Sequence, residues 1–144
     1  MTTVTTDIPN DITLSHIQTD AAMQSARVVT AMARCFGVNV NACISEEQDP
    51  AVGDRKVLSF SFEGAWADEA RRSIASFLGN TGIKDALIKP SQIEQLGDAP
   101  IKMDLDKLSL HKPSMFDKVS EGAVYNGMTI AARLSRQSAP RGIV

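Results

Sequence analysis

Val38-Asn39-Val40-Asn41-Ala42-Cys43-Ile44-Ser45 and, further along, Leu58-Ser59-Phe60-Ser61-Phe62-Glu63 carry the pattern that decides the fold. In the first stretch Val38, Val40, Ala42 and Ile44 alternate with polar or small neighbours. In the second, Leu58, Phe60 and Phe62 face one way and Ser59, Ser61 and Glu63 the other. A period of two is the signature of a strand with one buried face. Between the two stretches lies Glu46-Glu47-Gln48-Asp49-Pro50-Ala51-Val52-Gly53-Asp54, punctuated by proline and glycine. The simplest connection is an antiparallel hairpin, residues 38–45 against 56–63, with a long acidic loop.

Outward from the hairpin the period lengthens. Leu14, Ile17, Ala21, Ser25, Val28, Met32 and Cys35 step by three or four positions, which predicts a helix near 14–36. Ser15 and Gln18 fit a capping box at its start, and Gly37 fits a left-handed cap at its end. Many of its residues are small, Ala21, Ala22, Ala26, Ala31 and Ala33 among them, which permits close approach of another element or a second copy. After Gly64 a helix near 66–78 is expected, with Trp66, Ala70, Ile74, Phe77 and Leu78 inward and Arg71 and Arg72 outward. Ala86–Lys89 reads as a short strand ended by Pro90, and Ser91–Leu96 as one or two helical turns.

Ile101, Met103 and Leu105 alternate with Lys102, Asp104 and Asp106, so a further strand is expected at 100–106. Leu108 and Leu110 fall out of phase with it, the mark of a bulge or a change of element. A last helix near 114–136 starts at Pro113-Ser114. Gly122 and Gly127 weaken it by about 1 kcal/mol each, and Asn126-Gly127 is itself a hairpin signal, so a kinked helix or a local hairpin stays open. Adjacent strands joined by a hairpin, with helices at both ends, give an α+β fold built on a small antiparallel sheet. The expected organisation is a tail at 1–12, one α+β domain at 13–137 and a second tail at 138–144.

The 144 residues are 43% hydrophobic and 22% charged, a globular composition. Fifteen basic against seventeen acidic side chains leave a net charge of −2, so no basic field is available for a nucleic-acid backbone. The N-terminal stretch has no basic and apolar leader pattern, and no apolar run approaches the roughly 20 residues that span a bilayer. Two cysteines, Cys35 and Cys43, are too few for a disulfide scaffold. A cytoplasmic protein with reduced thiols is expected, and signal-independent secretion stays open.

Chemistry is sparse in the sequence. Cys35, Cys43, His16 and His111 do not fall at zinc-ligand spacing, so no metal is expected. Phosphate-loop and dinucleotide glycine patterns are absent, so no cofactor is expected. No GxSxG elbow or SxxK pair marks an activated nucleophile. Cys35 lies on the apolar stripe of the first helix and reads as a buried, inert thiol. What is left for catalysis is His111, in a loop, with Asp104 and Asp106 on one face of the expected strand. Two charge features remain. Glu46, Glu47, Asp49 and Asp54 make the hairpin loop acidic, and Arg133 and Arg136 share a helix face near the chain's end.

These observations favour a non-catalytic protein-binding module, whether adaptor, secretion-chaperone-like protein or inhibitor. Its expected partner is another protein, with self-association as a homodimer. Glu46, Glu47, Asp49, Asp54, Arg133 and Arg136 are its candidate partner-binding residues. The alternative is a small enzyme or ligand-binding domain that uses His111 with Asp104 or Asp106.

Overall fold

The computed structural model describes residues 4–7, 13–49, 51, 53–88 and 100–134. Along the chain it forms β1 (Val4–Asp7), α1 (His16–Phe36), β2 (Asn39–Asp49), β3 (Gly53–Glu63) and α2 (Ala67–Leu78). A 3-10 turn at Lys84–Ala86 then leads into β4 (Leu87–Ile88), β5 (Ile101–Asp104), α3 (Leu105–Leu108) and α4 (Pro113–Leu134). The strands lie side by side as β1-β2-β3-β5-β4. β1 runs parallel to β2, and the other three pairings are antiparallel. The α+β class is as expected: one sheet, with helices packed on one of its faces.

The alternation in the sequence sets the register. Val40 lies opposite Phe62, Ala42 opposite Phe60 and Ile44 opposite Leu58, and Ile101 and Met103 continue the same apolar rows onto β5. These side chains form the core with Val28, Val29, Met32 and Ala33 of α1, Ile74 and Leu78 of α2, and Phe116 and Ala123 of α4. On the opposite face Asn41, Cys43 and Ser61 are exposed. Among the described residues the main core is therefore the seam between the sheet and the helices, the arrangement expected when strands carry one apolar face, with Val57 buried on the other face outside it.

Several boundaries differ from the sequence reading. The hairpin is longer than 38–45/56–63, because Glu46–Asp49 and Gly53–Arg55 continue the ladder in place of a long loop. Its turn is closed at Gly53, whose φ of 83° is a conformation glycine adopts without strain. The strand expected at 100–106 stops at Asp104, where the chain turns into α3. That is why Leu108 falls out of phase: Leu105 and Leu108 are both buried from one helical turn. The segment expected as an N-terminal tail contains β1, paired through Val4–Asp7 with Val40–Cys43. Arg71, expected to point outward, has only 11% of its side chain exposed. Residues 89–99 and 135–144, with the expected helical turns at Ser91–Leu96 and the tail at 138–144, lie outside the described residues.

The helix ends follow their capping residues. Ser15 Oγ accepts from the Gln18 amide at 3.1 Å, and Gln18 Oε1 accepts from the Ser15 amide at 2.9 Å, so the capping box is complete. Gly37, at φ 67°, closes the other end and donates its amide to the carbonyls of Ala33 and Arg34. α4 is one continuous helix, neither divided nor replaced by a hairpin, and its two glycines are points of close approach. A Cβ on Gly122 would lie 3.3 Å from the Phe77 ring. One on Gly127 would lie 2.8 Å from Cys35 Sγ and 3.2 Å from the Met32 carbonyl oxygen. Tertiary packing of α4 on α1 and α2 thus overrides the poor helix propensity of glycine.

Candidate functional site

The capping box fixes the first turns of α1 and lines up His16, Ile17, Asp20, Ala21 and Gln24 along one edge of the helix. Opposite them stand Ser109, which closes α3, His111, and Pro113 and Phe116 of α4. Between these walls lies a cleft of about 210 Å³. Ile17 and Leu110 are exposed, while Phe116 is buried.

His111 is held from behind. Its Nε2 lies 3.0 Å from Asp85 Oδ1, and its side chain is 17% exposed against 59% for Asp85. The carboxylates expected to serve this histidine do other work. Asp104 is buried, and its Oδ1 accepts from the amides of Asp106 at 3.0 Å and Lys107 at 3.2 Å, capping α3. Asp106 Oδ1 accepts from Gln18 Nε2 at 2.6 Å. The same Gln18 completes the capping box, and Lys56 Nζ donates to the Thr13 carbonyl at 2.8 Å, so this network fastens the start of α1 to α3 and β3. The expected pairing of His111 with Asp104 or Asp106 is therefore corrected. The partner is Asp85, carried to the site by the 3-10 turn.

The candidate partner-binding residues are divided between two places. Glu46 and Glu47 lie on β2 and Asp54 on β3, opposite Lys56, Arg55 and Gln48 in turn. Glu47 also accepts from Lys102 Nζ at 2.9 Å. The supposed acidic loop is thus a mixed-charge strand ribbon. Asp49 belongs to β2, its side chain lies outside the described residues, and Arg136 lies beyond them as well. Arg133 is exposed in the last turn of α4, and among the described residues no ion pair joins it to the hairpin.

Cys35 is half-buried, with Sγ 3.5 Å from the Ala31 carbonyl oxygen, and burial pushes its thiol above the ordinary range. Cys43 is exposed on the sheet. Among the described residues no three His, Cys, Asp or Glu side chains are grouped to hold a metal ion, and no helix is long and apolar enough to cross a membrane.

Two surface features were not singled out from the sequence. A groove of about 470 Å³ runs between α2 and α4, lined by Arg72, Ser76, Asn80 and Asn126. Its polar groups are largely engaged within their own helices. Arg72 pairs with Asp68 at 2.7 Å, and Asn80 and Asn126 each donate to the carbonyl four residues back, at 2.9 Å. The second feature is apolar. On α4, Val124 is 42% exposed, Tyr125 74% and Met128 62%. Their spacing of one, three and four positions places them on adjacent turns of one face, a signal present in the sequence but masked by the hairpin reading of Asn126-Gly127. No protein-family model, curated protein or solved structure matches this chain, so function rests on the geometry of these surfaces.

Proposed function

We propose that this chain is a non-catalytic, cytoplasmic protein-binding module, of adaptor, chaperone-like or inhibitor type, that self-associates through the outer face of α4. The observation that carries the proposal is the exposed trio of Val124, Tyr125 and Met128 on that face. Large apolar side chains cost free energy when left in water, about 1.5–3 kcal/mol for each Val- or Met-sized group that a partner would bury. Tyrosine is also among the residues that most often anchor protein interfaces. The small residues of α1 do not offer a second interface of this kind. Ala21, Ala22 and Ala33 are buried in the chain's own core, so the face first suggested for a dimer is already occupied. Among the described residues α4 supplies a face of three neighbouring large apolar side chains, and a second copy of the chain is the proposed occupant. Arg133 at its end, and Glu46 and Asp54 on the hairpin, would then bias the approach of partners by charge.

Sedimentation velocity over a micromolar concentration series tests this. The wild-type chain is expected to show a concentration-dependent dimer. The Tyr125→Glu/Met128→Glu double variant is expected to stay monomeric with an unchanged circular dichroism spectrum. A wild-type chain that remains monomeric throughout overturns self-association, and a dimer untouched by the double variant overturns the assignment of the face.

A further inference from the structure

The cleft between α1 and the α3–α4 junction has a chemistry that the docking face of α4 does not share. Among the described side chains that line it, Asp20 is the one carboxylate. Asp20 is exposed, and among the described residues it has no hydrogen bond or ion pair. The groups around it are suited to accept. Ser109 donates its hydroxyl proton to the Asp106 carbonyl at 2.7 Å, which leaves the oxygen's lone pairs free. His111 turns Nε2 toward Asp85 Oδ1. When that nitrogen carries the ring proton, Nδ1 is left as an acceptor. The floor is apolar, formed by Ala21 and Phe116 with Ile17 at the rim.

We propose that this cleft binds a small organic ammonium ion, an amine carried on a short aryl or alkyl body. The ammonium group has three donors and one positive charge, which Asp20 neutralises and Ser109 and His111 hydrogen-bond. The body lies against Ile17, Ala21 and the Phe116 ring, whose face also attracts a cation. The volume of about 210 Å³ equals about seven waters at roughly 30 Å³ each, room for a molecule of phenethylamine size. A carboxylate of the same shape would meet Asp20 as a like charge. The isosteric alcohol would fit but forfeit the charge-assisted bond.

Phenethylamine, 2-phenylethanol and 3-phenylpropanoate, titrated into the full chain and followed by NMR, provide the test. The amine is expected to bind most tightly and to shift the ring signals of His16 and His111 and the amide of Ser109, leaving Asn126 in the α2–α4 groove unmoved. Asp20→Asn is expected to weaken the amine by about tenfold or more, the worth of one charge-assisted hydrogen bond, and to leave the alcohol unchanged. The ligand series needs no variant, so a misfolded Asp20→Asn chain would not rescue the proposal. Equal or tighter binding of the acid or the alcohol, an amine affinity indifferent to Asp20→Asn, or no shift at millimolar amine overturns it. None of these results depends on whether α4 pairs with a second copy.

Discussion

Replacing Gly127 with alanine sets two effects against each other, and the geometry decides which wins. Alanine in a helix interior is favoured over glycine by about 1 kcal/mol. Against this, the new Cβ would stand 2.8 Å from Cys35 Sγ, 3.1 Å from Cys35 Cβ and 3.2 Å from the Met32 carbonyl oxygen. Two of these three neighbours are rigid parts of α1, so the helices have to separate. Overpacking of this kind costs about 1–3 kcal/mol. Gly122 in the same helix is the control. Its alanine would gain the same propensity while meeting only the half-buried Phe77 ring at 3.3 Å, which can give by a few tenths of an ångström. The difference between the variants therefore isolates the clash. Gly127→Ala is expected to be less stable than Gly122→Ala by about 1–3 kcal/mol, read as a lower urea midpoint at unchanged m-value. Removing Cys35 Sγ with Cys35→Ala should restore part of the loss in the Gly127→Ala background, a non-additivity that only contacting residues show. If Gly127→Ala proves as stable as Gly122→Ala, the close packing of α1 on α4 described above is wrong.

Asp104→Ala removes the cap of α3 and is expected to cost about 1–2 kcal/mol, with Asp104→Asn recovering most of it; equal midpoints for the two variants in urea would contradict the capping role. Thiol labelling at pH 8 should show a fast phase from exposed Cys43 and a slow one from Cys35, with the fast phase lost in Cys43→Ser. Because burial raises the Cys35 thiol in the folded chain, the folded state holds that proton to higher pH than the unfolded state does. Its contribution is whole below the free-thiol value of about 8.5 and shrinks as pH climbs past it. Wild type should therefore lose stability relative to Cys35→Ala above that pH and not below. The Glu47–Lys102 pair is half-exposed on both sides, so Glu47→Ala should change stability by about 1 kcal/mol or less, an effect that salt diminishes in a melting series.

What the sequence revealed depended on how local the cause was. The β2–β3 register was readable because alternation is a property of neighbouring residues and one face of the sheet is buried. The capping box of Ser15 and Gln18 was readable for the same reason. The break after Asp104 was visible as a loss of phase at Leu108, although its cause, a helical turn capped by Asp104, was not. β1 left no signal, since a four-residue strand, half of it threonine, holds its place by pairing with β2 and not by a pattern of its own. The His111–Asp85 contact joins residues 26 positions apart with β4, β5 and α3 between them, so nothing near either residue announces it. Gly122 and Gly127 misled because propensity counts only the helix they sit in, while their role is to admit neighbours from α1 and α2.

The parallel pairing of β1 also bears on solubility. β2 offers one side of its backbone to β3 and the other, over Val40–Cys43, to β1. Without those four residues this second side would be a row of unpaired amides and carbonyls on an otherwise well-formed strand, a template onto which another chain can add. β1 thus acts as a cover strip, short and threonine-rich, that ends the sheet before it can grow. A chain lacking residues 1–7 keeps α1, the hairpin and the core side chains named above. Its expected failure is accordingly association during storage or refolding, ahead of any loss of helix or sheet.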